Sequence, residues 1–178
     1  AFNHLVKTVR ESDLVRIDLS SVRGLINCSE PLQQASFEAF LRRFEPQGLS
    51  PRALWGCYAM AETTFAVTSG GARTPLTVDY VDDLRFRRNL QAQPVPENSG
   101  ARAILSSGKL LPQTRVRILS PGGAEYPERK VGEIAVQSPS LAKGYYRNPE
   151  ASENAFKDGW YFTGDMGYRV GDELFVIG

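Results

Sequence analysis

The 178-residue sequence has few side chains that form disulfides or bind soft metals, since it contains two cysteines and one histidine. Cys28 and Cys57 are too few for a disulfide framework and are not spaced as a CxxC pair, so we interpret both as reduced thiols of a cytoplasmic protein. His4 alone excludes a histidine-rich metal site. It also argues against a Ser-His-Asp catalytic triad.

Excess charge and long apolar runs are also lacking. The formal net charge is +1, which gives no electrostatic reason to expect binding to nucleic acid or to a membrane surface. No apolar run approaches the roughly 20 residues that span a bilayer. The first residues, "AFNHLVKTVRES", lack an initiator Met and the layout of a signal peptide, so we expect an internal piece of a longer protein.

The first third of the chain has the pattern of an α/β fold. Residues 22–26 form a short apolar run typical of a strand, and residues 52–60 predict a second strand. Residues 29–44 between them predict a helix, with Ser29 as its cap and Pro31 in its first turn. One apolar stripe supports this helix, formed by Phe37, Phe40, Leu41 and Phe44. A strand, a helix and a strand at this spacing predict a βαβ unit with two parallel, neighbouring strands.

The sequence pattern changes twice after this unit. Residues 69–100 are long, polar and bounded by Pro and Gly, which indicates a functional insertion or a mobile linker. From residue 101 onward short strands dominate, interrupted by a helix over 148–156 with Asn148 as its cap. The predicted strands are "TRVRILS", "VGEIAVQSP", "GYY", "GWYFTGD" and "ELFVIG". We therefore expect segments 1–68, 69–100 and 101–178, the last forming a small, bent antiparallel sheet or barrel appended to the α/β part.

Two segments follow the predicted parallel strands where such sheets bind ligands, "NCSEP" (27–31) and "CYAMAETT" (57–64). Tyr58 has a ring that can stack on a base, Glu62 has the hard oxygens that Mg²⁺ prefers, and the Thr63 and Thr64 hydroxyls can bind a phosphate. The pattern alone is equally compatible with a core tyrosine, a solvated acid and a simple helix start.

The run "DGWYFTGD" (158–165) also has two interpretations. Gly164 and Asp165 are typical of a turn in which the aspartate binds its own backbone. Alternatively, the two oxygens of Asp165 accept hydrogen bonds from the vicinal diol of a ribose.

In combination these segments resemble the adenylate-forming superfamily of acyl-CoA synthetases, luciferases and peptide-synthetase adenylation domains. The "YGxxE" core corresponds to residues 58–62, and the "GEI…G…GYY.NPE…F.DGW..TGD.G" block corresponds to residues 132–167. Within the superfamily the chain most resembles the fatty acyl-AMP ligases. Four segments are similar to theirs: "DLSSVRGLINCSEPL", "MAETTFAVTSGG", the insertion at 69–100, and "ILSSGKLLPQTRVRIL".

The resemblance implies a reaction in which a fatty acid and ATP give acyl-AMP and pyrophosphate, with Mg²⁺ at the phosphates. The acyl group then passes to a thiol, on the phosphopantetheine arm of an acyl carrier protein or on CoA. Two alternatives remain open: an acyl-CoA ligase, and a catalytically dead module that only binds a nucleotide or a partner.

The resemblance also implies roles for individual residues. Ser29, Glu30 and Pro31 would flank the adenine, Tyr58 would pack on its other face, and Asp165 would hold the ribose. Glu62 would be the Mg²⁺ ligand. The remaining positions of the nucleotide-binding motif are Ala59, Met60, Ala61 and Thr63. Ala59 stands where relatives have Gly, and Cys28 where they have a Gly or another small residue.

Two family motifs have no counterpart in this sequence. One is the phosphate loop of the type "TSGSTGxPKG", and the other is the hinge of the type "GRxKD" that precedes the domain with the catalytic lysine. The resemblance therefore implies that the family's catalytic lysine lies beyond Gly178. We expect that no catalytic residue lies within this chain, and that the chain by itself does not form acyl-AMP.

Overall fold

Residues 2–71 and 74–178 are described by the computed structural model of this chain. The α-helices are α1 (Phe2–Thr8), α2 (Glu11–Leu14), α3 (Gln34–Phe44), α4 (Asp83–Asn89) and α5 (Pro149–Ala155). The first strands are β1 (Leu25–Asn27), β2 (Leu54–Gly56), β3 (Thr68–Ser69), β4 (Val78–Val81), β5 (Arg102–Leu105) and β6 (Lys109–Leu110). The later strands are β7 (Arg115–Leu119), β8 (Gly132–Gln137), β9 (Phe156–Lys157), β10 (Trp160–Val170) and β11 (Glu173–Val176).

The predicted βαβ unit is present. Strands β1 and β2 pair in parallel, with Leu25 opposite Leu54 and Asn27 opposite Gly56, and α3 connects them. Both strands are shorter than predicted, and β2 begins late because a 3₁₀ turn at Pro51–Ala53 precedes it. The apolar stripe of α3 packs on α1, where the Phe2 ring stacks on Phe40 at 4.3 Å between centroids. This packing forms the core of the α/β part.

The predicted start of the helix at Ser29 is wrong. Ser29 has a φ of 70°, a left-handed conformation that does not cap a helix, and its hydroxyl donates to the Cys28 sulfur. The helix begins at Gln34, after the extended residue Gln33. The segment 28–33 is consequently a loop at the carboxyl end of β1.

The second part is an antiparallel sheet in the order β3-β6-β11-β10-β8-β7, and β9 pairs with β10. In the described residues the sheet stays open, with β3 and β7 at its edges, so the barrel alternative is wrong. Helix α5 ends at Ala155, one residue before the predicted end at residue 156. Asp158 and Gly159 form the two-residue turn between β9 and β10, both with positive φ, as hairpin turns require. The predicted "GYY" strand lies in a loop instead.

Where it is described, the segment 69–100 contains strand β4 and helix α4. Strand β4 pairs with β5 along its whole length, and Asp82 caps α4 by accepting a hydrogen bond from the Arg85 amide. Phe86 of α4 packs edge-on against Tyr168 of β10 in a shared core. Residues 72 and 73 lie outside the described part.

A buried polar cluster fastens this segment to the sheet. The Arg129 guanidinium contacts both oxygens of Asp79, at 3.1 and 2.9 Å, and donates to the Ala92 carbonyl. The Tyr168 hydroxyl donates to the same carboxylate at 2.8 Å. The Asp79 side chain is 10% exposed, so three strong hydrogen bonds converge on one desolvated carboxylate.

None of the helices in the described residues has the length and hydropathy of a membrane span.

Candidate nucleotide site

Tyr58 and Asp165 meet across the two parts of the fold. The Tyr58 hydroxyl donates to Asp165 Oδ2 at 2.5 Å, although 107 residues separate them in sequence. Tyr58 is 8% exposed. Burial, and then the hydrogen bond to Asp165, raise the pKa of Tyr58 above its ordinary value. The hydroxyl therefore remains protonated at neutral pH and remains a donor to the carboxylate.

The backbone around each residue explains this meeting. Tyr58 is the second residue after β2, and its amide donates to the hydroxyl of the buried Thr68 at 3.0 Å. In β10 the three residues 163–165 lie opposite the single residue Ile134, because the register shifts between Phe162 and Met166. Gly164 takes a positive φ in this bulge. The bulge displaces Asp165 from the regular strand pattern and leaves its half-buried side chain at Tyr58.

Glu62 lies on a 3₁₀ turn, Ala61–Thr63, in the loop that follows β2. Its Oε1 accepts a hydrogen bond from the Tyr145 hydroxyl at 2.9 Å, and Tyr145 lies 3.2 Å from the hydroxyl of Tyr161. Burial is the main cause that raises the pKa of Tyr161 above its ordinary value. The Glu62 carboxylate is thus tethered at one oxygen and half-buried.

The segment Ser29–Pro31 lies one strand away from Tyr58. The Cys57 amide donates to the Asn27 carbonyl at 3.1 Å, which continues the parallel pairing to the ends of both strands. Ser29, Glu30 and Pro31 are exposed, and the last two line a polar cavity of about 80 Å³. The structure therefore brings the adenine-flanking candidates to the same end of the parallel strands as Tyr58.

The other motif residues have mostly structural contacts. Ala59 forms an antiparallel bridge with Ala66, and the Met60 amide donates to the Phe65 carbonyl. Ala61 is exposed at the start of the turn. The Thr63 hydroxyl is buried within 3.2 Å of main-chain carbonyls in its own loop, so it does not face a ligand in this conformation.

Gly178 is the position beyond which the catalytic lysine is expected. It is exposed and follows β11, and its carbonyl accepts a hydrogen bond from the amide of Met166, the residue after Asp165. The Ile177 amide donates to the Met166 carbonyl at 2.9 Å, so these contacts extend the pairing of β10 with β11. Gly178 is thus a strand-pairing residue and not itself a catalytic candidate. The location of the lysine beyond it stays a prediction.

The donor set at Glu62 fits Mg²⁺ bound together with a nucleotide. The described residues contain no cluster of three or more His, Cys, Asp or Glu side chains that could enclose a metal by themselves. Mg²⁺ is usually held by one or two carboxylates, substrate phosphates and water, so a single half-buried glutamate fits a cation that a bound nucleotide also holds.

The two thiols lie directly after the paired strands, Cys28 after β1 and Cys57 after β2. Cys57 is buried and Cys28 is partly exposed, and both are free. Burial, with a smaller effect of Cys28, raises the pKa of Cys57 to about 11. Cys57 is therefore a protonated packing residue at neutral pH.

Sequence reasoning missed Tyr145 and Tyr161. Both lie inside the "GEI…TGD" block, but their residue type gave no signal, because tyrosines often have only packing roles and Glu62, the partner of Tyr145, is 83 residues away. Only the folded arrangement shows that the Tyr145 hydroxyl reaches the candidate magnesium ligand and that the Tyr161 hydroxyl contacts Tyr145.

Comparison with known proteins defines the class. Residues 1–146 match the AMP-binding enzyme family. This chain therefore belongs to the AMP-binding enzymes.

Three individual relatives are informative. The Mycobacterium tuberculosis protein named fatty-acid–CoA ligase fadD25 and the Mycobacterium marinum long-chain-fatty-acid–AMP ligase FadD26 are each 32% identical over the whole chain. A fatty acyl-adenylate ligase from L. pneumophila, solved with acyl adenylate and pyrophosphate, superposes with a TM-score of 0.91 at 30% identity, covering 99% of this chain. The chain spans about a third of the length of each relative, 32% in all three cases.

Proposed function

We propose that this chain is part of an ATP-dependent ligase that converts a fatty acid to its acyl adenylate. The convergence of Tyr58 and Asp165, in a member of the AMP-binding enzymes, is the observation that carries the proposal. Relatives named fatty-acid ligases, and a neighbour solved with acyl adenylate, support the substrate class. With its two reduced thiols we place the protein in the cytoplasm.

The proposed chemistry has two balanced steps. A carboxylate oxygen of the fatty acid attacks the α-phosphorus of ATP, the bond to the β-phosphate oxygen breaks, and pyrophosphate leaves. A thiol sulfur then attacks the acyl carbonyl, the bond to AMP breaks, and the thiol proton passes to solvent. Mg²⁺, when bound, neutralises charge that develops on the phosphates.

Within these steps the residues of this chain bind and orient the nucleotide. Asp165 accepts hydrogen bonds from the ribose diol, and Tyr58 packs on the adenine while it fixes the Asp165 carboxylate. Residues 29–31 line the opposite side of the adenine, and the backbone from Ala59 to Thr63 forms the base of the proposed nucleotide site. Glu62 would hold the cation through the oxygen that Tyr145 leaves free.

We further propose that the thiol belongs to an acyl carrier protein rather than to CoA. The insertion at 69–100 is the supporting observation, because β4 pairs with β5 and the buried Asp79–Arg129 contact fixes the segment to the sheet. A segment held in this way would restrict the rotation of a mobile C-terminal domain. Transfer to CoA requires that rotation.

The test is pyrophosphate release by the complete polypeptide that contains this chain, with fatty acids of graded length and with CoA or holo carrier protein as the acceptor. We expect release with ATP and a fatty acid, and transfer to the carrier protein. Asp165→Ala should lower kcat/KM for ATP by roughly 100- to 10,000-fold, because two hydrogen bonds to a charged group are lost, each contributing about 1.5–3 kcal/mol.

Asp172→Ala is the matched control, since it removes an exposed aspartate from the next turn of the same sheet. Equal effects of both substitutions would refute the ribose role. A complete polypeptide that binds nucleotide without releasing pyrophosphate would indicate the dead-module alternative, and preference for CoA would overturn the proposed acceptor.

A further inference from the structure

We propose that Tyr145 is a positioning residue that orients Glu62 for the cation accompanying the nucleotide. The inference rests on the proposed function, because it assigns Glu62 to that cation. The observation behind it is a hydrogen bond of 2.9 Å from the Tyr145 hydroxyl to Glu62 Oε1, between segments 83 residues apart.

The direction of the hydrogen bonds follows from the number of protons. A tyrosine hydroxyl has one proton, and an ionised carboxylate only accepts. Tyr145 therefore donates to Glu62, and in its 3.2 Å contact with Tyr161 it must be the acceptor. Glu62 is held at Oε1 by an ordered donor, and Oε2 is left for a ligand.

Tyr145 is itself fixed from several sides. Its amide donates to the Ser152 hydroxyl of α5 at 2.8 Å, and its ring packs edge-on against Phe156 at 5.6 Å between centroids. The hydroxyl consequently has a defined position before any ligand binds. In metalloproteins, hydrogen-bond partners fixed in this way orient the side chains that bind the metal.

The loop that carries Tyr145 also holds the turn that carries Glu62. The Ala142 amide donates to the Glu62 carbonyl at 2.7 Å, and the Ser140 hydroxyl donates to the Thr63 carbonyl at 2.9 Å. Both the backbone and the side chain of Glu62 are therefore positioned by residues 140–145. If Tyr145 served only to stabilise the loop, its hydroxyl would not need to contact the Glu62 carboxylate.

The experiment compares Tyr145→Phe with Tyr146→Phe in the complete polypeptide. Tyr146 is the matched control, because it is adjacent, 86% exposed and lies against Arg147. Binding of Mn²⁺ is measured by electron paramagnetic resonance in the presence of α,β-methylene-ATP, which needs no turnover. The Mg²⁺ concentration for half-maximal pyrophosphate release is measured in parallel.

We expect Tyr145→Phe to weaken Mn²⁺ binding roughly tenfold, the lower end of the loss seen when a metal ligand's hydrogen-bond partner is removed. The Mg²⁺ requirement should rise similarly, with KM for the fatty acid unchanged. In a Glu62→Gln background Tyr145→Phe should have no further effect on either quantity. Tyr161→Phe should give a smaller change, because it acts through Tyr145.

Two results would overturn the inference: Mn²⁺ affinity unchanged by Tyr145→Phe, or an equal loss in the Glu62→Gln background. Failure of the proposed function is a separate outcome. In that case the wild type releases no pyrophosphate, while Tyr145→Phe still weakens Mn²⁺ binding.

Discussion

The cluster around Asp79 allows the role of the insertion to be tested by a single substitution. Asp79→Ala removes the carboxylate that accepts hydrogen bonds from Arg129 and Tyr168. Breaking a buried ion pair costs roughly 3–5 kcal/mol, because the remaining charge is desolvated without a partner. Arg129 is 26% exposed and keeps its bond to Ala92, so about 2–3 kcal/mol is the expected loss.

This loss should appear as local opening of the insertion. Hydrogen–deuterium exchange on the complete polypeptide measures it, since amides of β4 and α4 exchange through such openings. A loss of 2–3 kcal/mol corresponds to exchange that is roughly 30- to 150-fold faster. If docking of the insertion selects the acceptor, Asp79→Ala should also increase transfer of the acyl group to CoA.

The matched control is Asp83→Ala in the same segment. Asp83 pairs with Arg87 and Arg102, but these side chains are substantially exposed, and exposed pairs contribute little. Exchange in β4 should therefore be almost unchanged. Equal exchange rates in the Asp79 and Asp83 variants would refute the reasoning that the buried cluster holds the insertion in place.

Two further predictions concern the cysteines and one glycine. Iodoacetamide should label Cys28 long before Cys57, because a pKa of about 11 leaves roughly one Cys57 thiolate in a thousand at pH 8. The labelling rate of Cys57 should rise about tenfold per pH unit below pH 11. Mass spectrometry measures both rates, and equal rates at pH 8 would contradict this prediction. Gly108→Ala should prevent soluble expression or strongly lower Tm, since its φ is +101° and a Cβ would lie 2.1 Å from the Ser69 carbonyl carbon. Gly123→Ala is the control: its Cβ would meet nothing within 4 Å, so only a modest drop in Tm from its positive φ is expected.

The parallel strand pair and the helix between them could be predicted from local pattern, because α3 has an apolar stripe that must be buried. The helix start could not. A serine with a proline two residues later, as in Ser29 and Pro31, is typical of a helix start, but after β1 the backbone of Ser29 is left-handed, and the helix begins only at Gln34. Tertiary context therefore overrode a local propensity.

The insertion shows a second limit of sequence reasoning. Its polar composition was also compatible with a linker, because its apolar residues, such as Val81 and Phe86, follow no strong helical or strand period. These residues are buried against Tyr168 and Phe175 of the antiparallel sheet, which are distant from them in the sequence and come close only in the folded chain. No local pattern could show this long-range contact.

By itself the sequence determined the elements of the α/β unit, the order of the nucleotide-binding motifs and the candidate residues Tyr58, Glu62 and Asp165. Their mutual arrangement was decided by the tertiary structure alone. The bulge in β10 aims Asp165 at the Tyr58 hydroxyl, and a loop 83 residues away supplies the hydroxyl of Tyr145 to Glu62. Local patterns report periodicity and turn chemistry, whereas these contacts depend on how two sheets pack, which is a property of the whole fold.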